Sequence, residues 1–322
     1  MAARDVTSGA DDELTENGGN LQNILVDTVL NLEKLEVNLY RSSNHWKPLL
    51  NTHRIFGGQV VGQALVAAGK TIDEQLHAHS LHAYFVRSGQ NKKPVVYQVE
   101  RTRDGNSFAT RTIKAIQNGE SILSMQVSFT KAEYSKFQHQ YKMPEVPLPE
   151  ELQSEVELTQ KHLDENSHLF PDRLIEYIRK RQAREIPLEV KPVSPPLPIM
   201  FQFMYGDTDY PRRMMWMKSK GIIGDDEHLN RCTVAYMSDM MLASTSWLSK
   251  PQTNISMMTS LDHSMWFHSP FRADQWLLYE CESPHTGNGR GFNLGRIWTQ
   301  EGTLAVSVAQ ECVIRSEPKS KL

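Results

Sequence analysis

The sequence predicts an α+β fold made of two repeats, each an antiparallel sheet wrapped around a central helix. Three observations predict it. The chain repeats itself at a nearly fixed offset. Each repeat opens on an apolar, helix-like stretch. Each then continues as short strands separated by turn residues.

The repeat is visible residue by residue. Val96-Tyr97-Gln98-Val99-Glu100 resembles Leu278-Tyr279-Glu280-Cys281-Glu282, 182 residues on. Tyr84-Phe85 and Trp266-Phe267 keep that offset, as do Gly105-Asn106 and Gly287-Asn288. Gln117-Asn118-Gly119 and Gln300-Glu301-Gly302 are 183 apart. An ordered series of this kind marks duplication of a unit of about 110 residues.

The first helix is expected over 57–72, GGQVVGQALVAAGKTI, which has no charge before Lys70. A helix apolar on nearly all sides belongs in a core. Its counterpart is expected over 230–248, NRCTVAYMSDMMLASTSWL, as a single helix. HSLHAYFVR, VVYQVERTR, SFATRTIKAIQ and ESILSMQVSF read as strands of the first repeat. MTSLDHSMWFH, QWLLYECES, GFNLGRIWTQ and TLAVSVAQECVI read as strands of the second. Asn118-Gly119 between two apolar runs signals a tight hairpin, and Glu301-Gly302 is its weaker counterpart.

These elements divide the chain into an arm over 1–20, a first repeat over 21–130, a connecting segment over 131–187, a second repeat over 188–317 and a tail over 318–322. The arm is polar and acidic and is read as disordered. It lacks both the apolar stretch of a secretory signal and the Arg-rich bias of a presequence. The connecting segment starts Pro-rich and continues as polar helices over 150–187. LEVKPV, 188–193, reads as the first strand of the second repeat.

Composition excludes several classes. A net charge of −3 argues against a nucleic-acid surface. No apolar run is long enough to span a membrane as a helix. Cys232, Cys281 and Cys312 are odd in number and scattered, which fits a reducing compartment rather than a disulfide framework. None has metal-site spacing, and no metal or cofactor is expected. The chain closes on Ser320-Lys321-Leu322, the address read by the peroxisomal import receptor.

NLEKLEVNLYR, RIFGGQVVGQALVAA, HSLHAYFVR, GNSFATR, AIQNG, SLDHSMWFHSPFRADQWLLYE and VAQECVIR together resemble the acyl-CoA thioesterase II family, from about residue 22 to 317. The resemblance implies a double hot-dog fold, acyl-CoA as substrate and, with the C-terminal Ser-Lys-Leu, a place in the peroxisome matrix. It implies three catalytic residues: Asp239 in AYMSDMM, Ser260 in TSLDHSMW and Gln310 in VAQECV. Cys312 stands where the family has Gly after Gln-Glu, which leaves those three groups intact. Hot-dog sheets commonly associate, so a homo-oligomer also fits the resemblance.

The residues themselves support that chemistry. Tyr236, Asp239, Met240 and Ala243 fall at i, i+3, i+4 and i+7, which places one carboxylate among large apolar groups. Such a carboxylate needs partners or has a function with a perturbed pKa. No G-x-S-x-G elbow occurs, which argues against a covalent acyl-enzyme of the α/β-hydrolase kind. Direct attack by water is simpler, with Asp239 as base and Ser260 and Gln310 holding the water. Gly57, Gly58 and Gln59 at the start of the first helix are candidates to polarise the thioester carbonyl, or are simply a packed helix entry.

His263 and His268 are expected on opposite faces of one strand, and His79 and His82 diverge, so neither pair suits a metal. A Ser260–His263 dyad is open, though without a third orienting group. Arg87, Lys92, Lys93, Arg101, Arg103, Arg111, Lys114, Arg212, Arg213, Lys218 and Lys220 are candidates for the coenzyme A phosphates. A hot-dog enoyl-CoA hydratase and a non-catalytic acyl-CoA-binding protein are the competing readings. The repeat itself is unequal: Ser260 maps back to Ala78, Gln310 maps to Val127 beside Gln126, which leaves the amide open there, and the first helix has no acid to match Asp239. One complete hydrolytic site per chain is therefore expected.

Overall fold

The computed structural model describes residues 23–42, 45, 53–182, 186–199, 201–202, 209–250 and 253–316. The arm over 1–20 and the tail with Ser320, Lys321 and Leu322 lie outside them. The first half contains β1 (Glu33–Glu36), β2 (Leu39–Ser42), α1 (Gly57–Gly69), β3 (Leu76–Phe85), β4 (Val95–Asp104), β5 (Phe108–Gln117) and β6 (Glu120–Lys131). Two helices follow, α2 (Glu155–Asn166) and α3 (Asp172–Gln182). The second half contains β7 (Leu188–Ser194), β8 (Arg212–Ser219), α4 (Glu227–Ser238), β9 (Ile255–Ser260), β10 (Asp262–Phe267), β11 (Leu277–Gly287), β12 (Arg290–Thr299) and β13 (Leu304–Ser316).

All these strands form one antiparallel sheet, in the order β1-β2-β4-β5-β6-β3-β10-β13-β12-β11-β8-β7, with β9 also on β13. The order mirrors itself about the β3–β10 pair, so the two halves join edge to edge. Local chemistry sets the turns. Asn118 (φ 52°) and Gly119 (φ 76°) make the two-residue turn between β5 and β6 in left-handed backbone. Asn288 (φ 52°) and Gly289 (φ 71°) make its equal between β11 and β12.

The sheet wraps α1 and α4, which run antiparallel against each other. Their approach is close enough to need glycine. A Cβ at Gly58 would strike the Tyr236 carbonyl oxygen, one at Gly62 would lie 3.1 Å from the Cys232 carbonyl oxygen, and one at Gly69 would strike His228. Gly58 through Ala68 are buried without exception. The two glutamines among them are partnered. Gln63 donates to Val29 O and Ser42 Oγ and accepts from Tyr97 Oη at 2.6 Å, and Gln59 meets His45 Nδ1.

The expected single helix over 230–248 is a correction. α4 begins at Glu227, behind Asp226 whose side chain accepts from Leu229 N, and ends at Ser238. Met241 then takes a left-handed backbone (φ 66°), and Ala243–Ser249 form a separate tight turn of helix. No Gly or Pro marks the break, and methionine and leucine favour helix, so local propensity conceals it. The expected strand over 258–268 is likewise two: it breaks at Leu261 between β9 and β10.

Candidate active site

Asp239 directly follows the last residue of α4, and the reversal at Met241 leaves it beside the start of α1. Its Oδ2 accepts from the Gly58 backbone N–H at 2.8 Å. A helix start presents such unpaired N–H groups and the positive end of its dipole, both of which favour a carboxylate. A Cβ at Gly57 would lie 2.8 Å from the same oxygen, so glycine there lets the acid approach.

Gln310 lies on the inward face of β13, between buried Val308 and Cys312, and is itself fully buried. Its Nε2 donates to Asp239 Oδ1 at 2.7 Å and to Ser260 Oγ at 2.7 Å. One amide group therefore bridges the carboxylate and the hydroxyl. Gln310 Oε1 is buried and makes no hydrogen bond. Ser260 reaches the site because β9 runs along β13, with Cys312 opposite Ser260. The break after it is pinned: Leu261 N donates to Glu311 O at 2.8 Å, and Glu311 N donates to Asp262 Oδ1 at 2.9 Å.

Burial raises the pKa of Asp239 to about 6, against the lowering effects of the Gln310 and Gly58 hydrogen bonds. A carboxyl poised there is ionised at neutral pH and still basic enough to take a proton. The thiols are the reverse. Burial pushes Cys232 and Cys312 up and Cys281 up to about 12, so each stays protonated and a poor nucleophile.

Asp239, Ser260 and Gln310 are thus brought together from three separate elements. The helix-start candidates fall differently. The Gly58 N–H is engaged by Asp239, and the Gln59 N–H is engaged by Phe56 O at 3.1 Å. The Ser260–His263 dyad is a correction: His263 is fully buried and its Nε2 meets Ser238 Oγ at 2.8 Å. His263 and His268 do take opposite faces, but His79 and His82 do not diverge. A bulge between Ala78 and Ser80 shifts the alternation, so His79 bonds Ser128 Oγ and His82 bonds Ser264 Oγ. Arg111 and Arg213 are buried, at 1% and 0% exposure, and are not placed to meet coenzyme A phosphates. Arg111 instead bonds Thr71 and Asp104.

Two partners of the site escaped the sequence reading. The Gly58 amide had no signal connecting it to Asp239. Tyr279, whose hydroxyl donates to Ser238 O at 2.6 Å, reads in the sequence only as a strand residue.

A model of the acyl-CoA thioesterase N-terminal domain matches residues 46–130, and one of the C-terminal domain matches residues 176–314. The chain is similar to acyl-coenzyme A thioesterase 8 of Homo sapiens, 48% identical over 94% of this chain and 92% of that one. It is similar to the peroxisomal acyl-coenzyme A thioester hydrolase 1 of Saccharomyces cerevisiae, 25% identical over 80% of this chain and 84% of that one. Among solved structures it is similar to the acyl-CoA thioesterase II TesB2 of Mycobacterium marinum, with a TM-score of 0.70 and 37% identity, covering 91% of this chain and 98% of that one. With one hot-dog unit in each half and these relatives over nearly its whole length, the chain belongs to the acyl-CoA thioesterase II family.

Proposed function

We propose that this enzyme hydrolyses acyl-CoA thioesters to free fatty acid and coenzyme A in the peroxisome matrix, with water as nucleophile and Asp239, Ser260 and Gln310 as the groups that hold and activate it. The observation that carries the reading is the Gln310 side chain. Its Nε2 bridges Asp239 and Ser260 while its Oε1 is buried with no protein partner. A water donating to that oxygen would complete the hydrogen bonding of the amide that links carboxylate and hydroxyl.

Asp239 takes the proton of that water as its oxygen attacks the thioester carbonyl. The tetrahedral oxyanion collapses by breaking the C–S bond. The thiolate of coenzyme A leaves, and the proton held on Asp239 returns to it or to solvent. Ser260 Oγ accepts from Gln310, so its own hydrogen is free for the water or the thioester carbonyl. Among the described residues the three thiols are protonated, and His263, the neighbouring candidate base for Ser260, is turned to Ser238. That same pairing counts against a hydratase, which needs an Asp/His pair. Peroxisomal residence is supported by the Ser-Lys-Leu end and by the name of the yeast relative.

Free-thiol release over a panel of acyl-CoAs of graded chain length tests the reading. Release with at least one chain length, abolished in Asp239→Asn, is expected. Binding of acyl-CoA with no thiol released at any length would overturn it.

A further inference from the structure

α4 stops one residue before Asp239, so the Ser238 carbonyl has no later helical N–H to bind. Tyr279, fully buried on β11, donates its hydroxyl to that carbonyl at 2.6 Å. Room for the Tyr279 ring exists because residue 295 is glycine: a Cβ there would lie 2.7 Å from the ring. Ser238 is held a second time through its side chain. Its Oγ donates to Ala235 O at 3.0 Å and lies 2.8 Å from His263 Nε2. The hydroxyl also faces Met265 Sδ at 3.4 Å, and the contact with Nε2 holds in either tautomer of His263. The other ring nitrogen, Nδ1, is buried without a hydrogen-bond partner. A buried polar atom left unpaired asks for a reason beyond filling space, which a leucine would do without that cost.

We propose that Tyr279 and His263 are positioning residues: through Ser238 they fix the last peptide of α4, and so hold the Asp239 carboxylate against Gln310 and Ser260. The inference rests on Asp239 being the base. Tyr279 and His263 lie on β11 and β10, so the sheet of the second half grips the end of its own helix. Without that grip the carboxylate has only its own two hydrogen bonds to locate it, and a small loss of alignment is costly in rate. Tyr279 also acts through its dipole. Its O–H turns a positive end to the carbonyl at the negative end of α4, next to the carboxylate. Removing it favours the protonated acid and moves the acid limb of the rate profile to higher pH.

The test uses the full chain with lauroyl-CoA, measuring kcat, KM and the pH profile beside the melting temperature. Tyr279→Phe keeps the ring and removes one hydroxyl. It is expected to lower kcat about tenfold, to leave KM within about twofold, and to shift the acid limb upward by about half a pH unit. His263→Leu is expected to lower kcat similarly, and His263→Gln, whose amide can still donate to Ser238 Oγ, to recover most of it. Unchanged kcat and an unmoved limb per folded Tyr279→Phe enzyme would overturn the proposal, whatever its melting temperature. Asp239→Asn measured in parallel separates the two readings. If that variant is fully active, the base assignment fails. If it is inactive while Tyr279→Phe behaves as wild type, only the positioning role fails.

Discussion

Ser264 and His82 are register partners across the junction of β10 and β3, and His82 Nδ1 lies 3.0 Å from Ser264 Oγ. Their numbers differ by 182, the offset of the repeat, so each residue pairs with its own counterpart. The axis relating the halves passes between them. Every position near the site can therefore be compared with its equivalent. Asp239 caps the end of α4, where Lys70 caps the end of α1. Ser260 faces Cys312, as Ala78 faces Phe129. Gln310 faces Asn293, as Val127 faces Arg111. Among the described residues the other end of the helix pair has no equivalent set of carboxylate, hydroxyl and amide at these positions.

With no second set to fall back on, Asp239→Asn should remove nearly all activity. Loss of a general base lowers the rate by roughly 10²–10⁴-fold. The side chain is nearly isosteric, so the melting temperature should change little. Thiol release and thermal melting of the same preparation check both halves of this. Activity within tenfold of wild type would rule out Asp239 as the base.

The pH profile has a fixed sign. Asp239 must be ionised to accept a proton, and burial places its pKa at about 6. kcat/KM should be on a plateau above that value and fall as pH drops through it. A profile flat down to pH 4.5 would show that no group of this kind controls the rate.

Gln310→Met keeps bulk in the buried site and removes the donor. Asp239 then loses a hydrogen bond that lowers its pKa, so the acid limb should move above about 6. Ser260 loses the same partner, and kcat should fall by roughly 10–100-fold, consistent with loss of one or two positioning hydrogen bonds. Steady-state kinetics between pH 5 and 9 measure both effects, and an acid limb moving downward would contradict the assignment.

Gly58→Ala tests the helix contact. The added methyl collides with the Tyr236 carbonyl oxygen and sits 3.0 Å from Asp239 Cβ, so α1 and α4 must part. Overpacking of this kind costs about 1–3 kcal/mol. Denaturant unfolding should show that loss, and activity should fall with it because the Gly58 N–H moves away from Asp239. Wild-type stability would mean that the helices separate freely.

Removal of Ser320, Lys321 and Leu322 should leave thiol release by the purified enzyme unchanged and abolish import into peroxisomes. Fluorescence microscopy of the tagged chain, with the tag at the N-terminus, reads the outcome. Peroxisomal signal from the shortened chain would refute the address.

The sequence by itself determined the duplication, the buried first helix, most of the strands and the Asn118-Gly119 hairpin. These depend on periodicity and turn chemistry within a few residues, which a linear reading can see. Asn288-Gly289 carries the same hairpin signal. Asp239, Ser260 and Gln310 were legible through family motifs, since nothing local connects residues so far apart. The tertiary structure decided the rest. The end of α4 at Ser238 depends on Met241, whose left-handed backbone no local propensity announces, and on Tyr279, which binds the carbonyl left free there. One of the two partners of the Asp239 carboxylate is a backbone N–H of the other half, made available by two glycines and a helix start. Hydrogen bonds to the main chain are nearly blind to side-chain identity, so the sequence could name the acid and the amide beside it but not the Gly58 N–H that holds its other oxygen.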